Sequence, residues 1–561
     1  MLDLLVYAKE IITLDSERQS ASVMGVFAGK IVGFDEDVTQ LPAAQELDFG
    51  DAVITPGFID SHCHATWWGL GLNAIQLDTA RGLTKLYDMI AEAAAQLPDS
   101  GEVWIHGTGF NQKHHGGSFP DIGVLDKITG QRRLYLRHTS GHAAITNTAT
   151  LQRLGALDPG FVDPVGGWIV RDGDGNPTGL VEESAQGLLQ AMLLPYPTSE
   201  ITAALESATA RFAARGITSF VEAGVGGGWI GHSPIEVAAY LRAANTARLK
   251  ARAIVMPAID SLEQLRGADQ DFCGEGSGLG VGLGIGFGFG TETVRLGHVK
   301  AFMDGSLLGE TAAVTAEYCQ HHTKHQGSGG STHPQTAGVR AGYLLDTPEN
   351  YREAVRAVYR GGWPVALHAI GDAAIDLALE LIAQCQTDYG KQAAPNRIEH
   401  FGIARPDQVA LAAQLGIAVT PQAGFIGPLG DQFMAKLGPE RQSWIYRGQS
   451  IVDAGAILAG SSDLPVADNN ILRAMQSAVD RRTESGAKLA PAEALSPLDA
   501  LRSYTCWAAR ANGVADQRGT LRRGCNADFV VLSGSPLTAE NIAELRVLAT
   551  YLGGECSFSA E

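Results

Sequence analysis

Two histidines separated by a single residue form the clearest chemical signal in the sequence. His62 and His64 follow the apolar run and Pro-Gly pair of segment 55–60. Residues two apart on a β-strand point to the same face, so both imidazoles can bind one metal ion from the end of a strand. Such a pair also occurs as ordinary polar residues at a strand end, but its position after an apolar strand favours the metal interpretation.

Three further candidate ligands follow predicted strands. These are His368, His400 and Asp463. Taken singly, each histidine can be a polar residue satisfied by hydrogen bonds. Four histidines and one aspartate at the same end of successive strands are harder to explain by packing, because barrel enzymes keep their active sites at that end. The set therefore predicts a metal centre.

Lys300 is the sixth candidate ligand. It lies in the apolar segment 296–303, where an unpaired ammonium would be costly to bury. Burial lowers the pKa of a lysine, and the neutral amine can add carbon dioxide to form a carbamate. A carbamate has two anionic oxygens and can bridge two metal ions. The alternative is a salt-bridged lysine at a strand end.

The elements that must position these residues follow a repeated helix–glycine–strand pattern. Gly216, Gly362, Gly416 and Gly455 each follow a predicted helix and precede an apolar run. Glycine after a helix end supplies a left-handed cap, and the run after it is typical of a buried parallel strand. Repeated units of this kind predict an α/β fold, and their number favours a closed (β/α)₈ TIM barrel.

The remaining segments are expected to form additions to that barrel. Both chain ends read as short strands, such as 4–7 and 10–14, and neither end could form a stable domain alone. We therefore expect residues 1–55 and 512–561 to pair into one composite β-sandwich. The barrel would occupy 56–511. Within it, segment 67–198 is too long for a loop and predicts an inserted subdomain after the first strand.

Two segments depart from the repeated helix–glycine–strand pattern. Residues 274–290 carry glycine at every even position. No Gly-Lys-Ser/Thr follows, so a phosphate loop is excluded and a flexible or flat β-like connection is expected. Segment 319–338 is rich in His, Gly, Ser and Thr, and we expect its histidines to be solvated rather than to form a third metal site. They are His321, His322, His325 and His333.

Composition restricts the partners of this protein. Its 561 residues include 42 Lys and Arg against 61 Asp and Glu, giving a net charge of −19. This balance argues against non-specific binding to nucleic acid or anionic membranes, so a small-molecule substrate is expected.

The sequence predicts a cytoplasmic location. Its seven cysteines are scattered and form no CxxC pair, it shows no signal peptide, and it contains no apolar stretch of roughly 18 residues. The oligomeric state is left open, with a homodimer as one option.

The sequence contains short blocks in the same order as in the amidohydrolase superfamily. It resembles that superfamily, and especially its branch of N-substituted formamide deformylases. The blocks are 11–15 with 29–32, 56–64, 140–142 (SGH), 299–306 (VKAFMDGS), 367–372 (LHAIGD), 397–400 (RIEH), 460–466 (GSSDLPV) and 519–528 (GTLRRGCNAD). Any one block is modest evidence, but their order along nearly the whole chain is specific. The chain departs from the family in an extra serine before Asp463 and in the length of segment 319–338.

The resemblance implies roles for the candidate residues. His62 and His64 would bind one metal ion, His368 and His400 a second, and N6-carboxylated Lys300 would bridge them. Asp463 would contact the first ion and act as the general base. His142 would steer the substrate carbonyl, and Asp304 is a further substrate-binding candidate. The metal would be Zn²⁺ or a similar divalent ion, and whether one or two ions bind is left open.

One aromatic candidate comes from position alone. Trp67, together with Trp68, lies just after the histidine pair and could line an apolar pocket. The alternative is plain packing between the barrel and the inserted segment.

These residues predict hydrolysis of a carbon–nitrogen bond by metal-activated water, with an N-substituted formamide or another small amide as substrate. Deamination and the hydrolysis of lactones or carbamates are alternatives, because they share the fold and the metals. A non-catalytic barrel that serves as a binding scaffold is a second alternative. It is disfavoured because all six candidate ligands are present.

Overall fold

The structure is a computed structural model that describes residues 1–72, 74–194, 196–227, 235–261, 286–319 and 341–560. Most of the glycine-rich segment 274–290 lies outside these ranges. The four histidines of segment 319–338 lie outside them as well, so the predictions for both segments stay predictions.

Two parallel sheets form the centre of the molecule, one of four strands and one of five. In spatial order the first contains Val294–Leu296, Arg252–Pro257, Ile217–Val225 and Phe58–Cys63, and the second contains Val299–Phe302, Val365–Ala369, Arg397–His400, Ala418–Thr420 and Ile457–Leu458. Most of these strands are buried at every position. Such burial is typical of parallel strands that are covered by helices.

Backbone contacts connect the edges of the two sheets. On one side, Ala258 and Lys300 form a parallel bridge. On the other side, the amide of Ser61 donates to the carbonyl of Gly460 at 3.1 Å. The strands of both sheets therefore run side by side, and their carboxyl ends surround one region.

Helices cover these sheets, and left-handed glycines separate several helices from the strand that follows. Gly216, Gly362, Gly416 and Gly455 have φ angles of 78°, 78°, 69° and 78°, so the predicted helix–glycine–strand units and the predicted α/β fold are confirmed. The α-helices are Ala65–Gly71, Leu83–Ala95, Ile122–Thr129, Thr148–Arg153, Gln186–Ala191, Thr198–Ala213, Ile235–Asn245, Pro348–Arg360, Asp372–Tyr389, Pro406–Leu415, Ile426–Lys436, Pro439–Gln442, Gln449–Asp453, Ile471–Asp480, Pro497–Ser503 and Cys506–Ala511. Short 3₁₀ helices are Asp35–Asp37, Leu77–Thr79, Gln112–His115, Ile259–Ser261, Ala423–Phe425, Pro491–Glu493 and Ile542–Glu544.

The two ends of the chain share one eight-stranded sheet. Its strands are Leu2–Ile12, Ser20–Phe27, Lys30–Phe34, Ala43–Asp48, Val53–Pro56, Phe529–Leu532, Val547–Leu552 and Glu555–Ser559. Antiparallel pairing of Val53–Pro56 with Phe529–Leu532 joins the two ends. The prediction of separate strands at 4–7 and 10–14 is wrong, because Leu2–Ile12 is one strand. Its pairing register shifts between Tyr7 and Ile11, which interrupts the alternation of apolar and polar residues.

A mixed six-stranded sheet lies between the first core strand and the next one in sequence. In spatial order its strands are Gly167–Arg171, Pro177–Glu183, Ala143–Ile145, Arg133–His138, Trp104–Phe110 and Ile75–Gln76. The connection between Arg133–His138 and Ala143–Ile145 carries Ser140 and His142. Residues of this sheet therefore contribute to the candidate site at the ends of the core strands.

Within the described ranges, no helix combines the length and the apolar character that crossing a membrane requires. The cysteines of the described part are free thiols.

Candidate metal centre and active site

Three of the predicted ligands converge at the carboxyl ends of the core strands. Asp463 Oδ1 lies 3.4 Å from His62 Nε2 and 3.3 Å from His64 Nε2. One potential ligand atom of each residue lies within 4.8 Å of the other two, and all three residues are buried. Imidazole nitrogens and carboxylate oxygens bind zinc at about 2.0–2.2 Å, so this donor set fits a divalent ion placed between them.

A buried carboxylate fixes the ring of His62. Glu399 accepts a hydrogen bond from His62 Nδ1. It also accepts bonds of 2.8 and 2.7 Å from Arg397 and one of 3.1 Å from Thr420. Burial would raise the pKa of Glu399, but Arg397 and His62 hold it well below its usual range. Because Nδ1 donates to an ionised carboxylate, Nε2 is the nitrogen available to a metal.

His64 has a similar environment. Glu222 Oε1 lies 3.7 Å from His64 Nδ1. Glu222 itself accepts hydrogen bonds from the amide of Thr66, at 2.9 Å, and from the hydroxyl of Tyr240. Burial would lower the pKa of His64, but hydrogen bonds to Asp463 and Glu222 raise it above its ordinary value. Both ring nitrogens of His64 therefore face acidic groups, and Nε2 faces the ligand cluster.

The loop after the last core strand holds Asp463 in place. Asp463 has a φ of 55°, in the left-handed region that non-glycine residues rarely adopt. Its amide donates to the carbonyl of His62 at 2.7 Å. Asp60 anchors the same loop by accepting bonds from the amide of Ser462, at 3.0 Å, and its hydroxyl, at 2.6 Å. Ser462 thus has a structural role in this loop.

Asp463 is ionised in this environment. Burial raises the pKa of the Asp463 carboxyl, but hydrogen bonds with His62 and His64 outweigh burial and hold that pKa well below its ordinary value. The carboxylate can therefore bind a cation or accept a proton from an acidified group.

His368 and His400 lie beside this cluster. The ring centroids of His62 and His400 are 4.8 Å apart, and those of His368 and His400 are 4.5 Å apart. His400 Nδ1 is bonded to Gln422 Oε1 at 2.9 Å, whereas His368 Nδ1 is buried without a hydrogen-bond partner among the described residues. Burial lowers the pKa of His400 to about 3 and lowers that of His368 as well. Both rings are therefore neutral, which is the form that binds metals.

Lys300 is completely buried. In the part of the chain that the structure describes, its ammonium has no hydrogen-bond partner. Its Nζ lies 4.6 Å from the centroid of the Phe302 ring, and burial lowers its pKa to about 8. Burying an unpaired ammonium costs free energy, so a purely structural role does not explain a lysine in this position. Because its pKa is lowered, Lys300 can more readily lose a proton and become a neutral amine.

A pocket opens onto the ligand cluster, and two of the three predicted substrate-binding residues line it. Trp67 and His142 both face this space. His142 Nδ1 is bonded to Glu183 Oε2 at 2.8 Å, and the His142 ring centroid lies 5.8 Å from that of His368. The lining residues are His62, His64, Trp67, Ser140, His142, Phe302, His368, His400, Asp463 and Val466.

Asp304, the third predicted substrate-binding residue, is not among these lining residues. It is fully buried, and its carboxylate accepts hydrogen bonds of 3.0, 3.0 and 2.8 Å from the amides of Ala313, Ile370 and Gly371. Its Oδ1 lies 3.4 Å from His368 Nε2, and burial raises its pKa to about 7. Asp304 therefore holds His368 and the adjoining loops in position.

Three carboxylates of the site were not predicted from the sequence. They are Glu222, Glu399 and Glu183, which lie beside His64, His62 and His142. Glu222 and Glu399 belong to strands that are buried at every position, whereas the strand of Glu183 is only partly buried. An acidic residue within a predicted buried strand was the signal that could have identified Glu222 and Glu399, because such a charge requires a partner.

The chain is similar to several known proteins over nearly its whole length. The model of the amidohydrolase family matches residues 45–558. The Arabidopsis thaliana protein LONG AFTER FAR-RED 3 is 30% identical over 573 residues, which cover 99% of this chain and 91% of the relative. The N-substituted formamide deformylase of Arthrobacter pascens is 27% identical over 568 residues, covering 99% and 98%. A solved structure of an uncharacterized metal-dependent hydrolase from Pyrococcus horikoshii shares the fold, with a TM-score of 0.73 at 22% identity over 96% of this chain and 99% of that one.

Proposed function

Because the chain belongs to the amidohydrolase family, and is thus a hydrolase of carbon–nitrogen bonds, we propose that it cleaves an N-substituted formamide or another small amide. The observation that carries this proposal is the convergence of His62, His64 and Asp463 in a buried pocket. Similarity over nearly the whole chain to an N-substituted formamide deformylase supports the choice of substrate class.

In this proposal the ligand cluster holds divalent metal, with zinc as the favoured ion. His62, His64 and Asp463 would hold one ion, and His368 and His400 a second, with carboxylated Lys300 between them. With Lys300 unmodified, the centre would hold a single ion. A bound divalent ion polarises a carbonyl and lowers the pKa of a water molecule.

The protein's own side chains complete the proposed reaction. Asp463 accepts the proton of the attacking water and returns it to the departing nitrogen. His142 is oriented by Glu183 and steers the substrate carbonyl. Trp67 and Phe302 line the pocket and exclude bulk water, which strengthens the electrostatic interactions inside it.

We also propose that the two core sheets, whose described strands number nine, close into one barrel of the (β/α)₈ type over residues 56–511. The backbone contacts between the sheet edges support closure. The six-stranded sheet would form the inserted subdomain 67–198. Residues 1–55 and 512–561 would form a composite β-sandwich, which is supported by a buried apolar cluster drawn from both chain ends.

A substrate panel tests the proposed function. Metal-replete protein is incubated with N-substituted formamides, other amides, amino-substituted heterocycles, lactones and carbamates, and the release of formate, ammonia and acid is measured. We expect formate and an amine from the formamides, or acid and an amine from another small amide. Ammonia from a heterocycle would instead indicate deamination, and turnover of only lactones or carbamates would indicate the other alternative. Activity no higher than that of Asp463→Asn on every compound would favour a non-catalytic scaffold.

A further inference from the structure

Arg137 is a buried arginine that has no carboxylate partner among the residues that the structure describes. Its exposed fraction is 8%. Its Nε donates a hydrogen bond of 3.2 Å to the hydroxyl of Tyr135, and no ion pair joins its guanidinium to an acidic residue in the described ranges. Arg133, four residues earlier on the same strand face, pairs with Glu102 at 2.9 Å. Buried charges are normally paired because their desolvation is costly, so Arg137 is unusual.

Aromatic rings provide part of the stabilisation of Arg137. Its guanidinium carbon lies 4.3 Å from the centroid of the Trp67 ring and 5.4 Å from that of Tyr135. Cation–π contacts of this kind favour the charged form. They do not use the terminal N–H groups of the guanidinium, which carries five donors in a planar fork.

Arg137 lines a second pocket, which shares Trp67 with the pocket at the ligand cluster. The pocket is lined by Arg137 together with His106, Thr108, Tyr135 and Tyr196, and Trp67 lines both this pocket and the one at the ligand cluster. The ring centroids of Trp67 and His64 are 5.6 Å apart. A substrate that extends past Trp67 from the ligand cluster would therefore reach the guanidinium.

Arg137 gives this second pocket its charge. Burial and, to a smaller extent, the nearby Arg137 lower the pKa of His106 to about 4, so His106 is neutral near pH 7. The pocket thus presents one cation and several hydrogen-bonding groups, within a chain whose net charge is −19. Such a site selects an anion.

We propose that Arg137 binds a carboxylate of the substrate, so that the preferred substrates are amides that carry a carboxylate beyond the scissile bond. The planar guanidinium forms two parallel hydrogen bonds with a carboxylate, which favours this anion over a spherical one. The proposal rests on the proposed amide hydrolysis, because it names the substrate class of the same centre.

Matched substrates test this subsite. N-formyl derivatives of ω-amino acids of increasing chain length are compared with their methyl esters, which lack the charge. We expect wild-type protein to prefer the acids at the optimal chain length. Arg137→Gln should lower kcat/KM for the acid by about 100-fold and leave that for the ester nearly unchanged. Arg137→Lys should show an intermediate loss, because it keeps the charge and loses the fork.

Arg153→Gln is the matched control, since Arg153 lies in the same segment with its side chain 64% exposed, and it should behave as wild type. Equal losses on acid and ester in Arg137→Gln, or a wild-type preference for the ester, would overturn the subsite. If circular dichroism shows that Arg137→Gln does not fold, Arg137→Lys is used to test the subsite by the same comparison of acid with ester.

A binding measurement separates failure of the subsite from failure of the proposed reaction. If no N-formyl compound is hydrolysed, the formamide part of the proposed function fails, and calorimetry of metal-replete protein with the same acids and esters tests the subsite. Binding of the acid that is at least tenfold weaker in Arg137→Lys or Arg137→Gln supports it. Equal binding of the acid by wild type and variants, or the absence of binding by wild type, overturns it.

Discussion

Three imidazoles of the site have a hydrogen-bonding partner that determines their orientation. Glu399 holds His62, Glu183 holds His142, and a glutamine holds His400. Partners of this kind fix the tautomer of a metal-binding histidine and raise its basicity. The histidines could be identified from the sequence because their spacing and strand-end positions are local features. Most of their partners lie on strands distant in sequence, and only the fold brings them together.

Asp463 provides the sharpest test at the level of single residues. Asp463→Asn keeps the size and one oxygen ligand but cannot accept a proton. We expect turnover to fall by about 100-fold or more with metal content largely retained, measured by steady-state kinetics and elemental analysis.

The matched control is Asp453→Asn, an exposed aspartate on a nearby helix, which should retain activity. Substantial turnover by Asp463→Asn with metal bound would show that another residue is the base. His142 would then be the first alternative to test.

Lys300 tests whether the centre holds two ions. If the lysine is carboxylated, Lys300→Ala should lose the bridged pair and most activity, and added short carboxylic acids should partly restore turnover by replacing the carbamate. Elemental analysis of wild type and variant measures the loss of metal. An unchanged metal content in Lys300→Ala, or a structure of the wild type that shows Lys300 unmodified and far from any metal, would indicate a centre with a single ion.

At the level of elements, glycine positions were the most informative part of the sequence. The predicted helices before Gly216, Gly362, Gly416 and Gly455 are present, because a left-handed residue ends a helix by local backbone geometry. Polar residues at the ends of predicted strands also indicated the site, because parallel strands bring their carboxyl ends together. The register shift within Leu2–Ile12 could not be predicted, because it depends on pairing with strands elsewhere in the chain.

The loop that carries Asp463 gives a prediction at this level. Ser462→Ala removes a hydrogen bond to the buried Asp60 and the acceptor for the amide of Leu464. Displacement of a catalytic group by about 1 Å can lower a rate by about 100-fold, so we expect kcat to fall by about 10- to 100-fold with little change in KM. Steady-state kinetics measure both constants.

Ser485→Ala is the matched control, because Ser485 makes an equivalent bond to Asp431 on the surface, and it should be neutral. A wild-type kcat in Ser462→Ala would show that the loop holds Asp463 without this serine.

At the level of the whole molecule, one ion pair links the sheet of the chain ends to the core. Arg252, on a core strand, donates bonds of 2.7 and 3.0 Å to the two carboxylate oxygens of Asp528. Both side chains are buried, and the amide of Gly553 donates to the same carboxylate at 2.7 Å. The two chain ends therefore contribute to the stability of the core. The cytoplasmic location stays a prediction, and the oligomeric state stays open.

Removing one partner of this pair should destabilise the protein. Breaking a buried ion pair costs about 3–5 kcal/mol because it leaves the other charge unpaired, so we expect Arg252→Met to lower the free energy of unfolding by about that amount in urea titrations. The control is Arg356→Met, whose pair with Asp388 is 43% exposed on each side and should contribute less than about 1 kcal/mol. Equal effects of the two substitutions would show that the chain ends are not coupled to the core through Arg252.

Metal dependence tests the central claim most directly. The measurement is the activity of one preparation before exhaustive chelation, after it, and during stepwise addition of zinc, with bound metal determined at each step. We predict that activity disappears with the metal and returns in proportion to the zinc bound, and that the metal-free protein unfolds at a lower temperature because its ligands come from several strands. Full activity in protein that contains no metal would contradict the account.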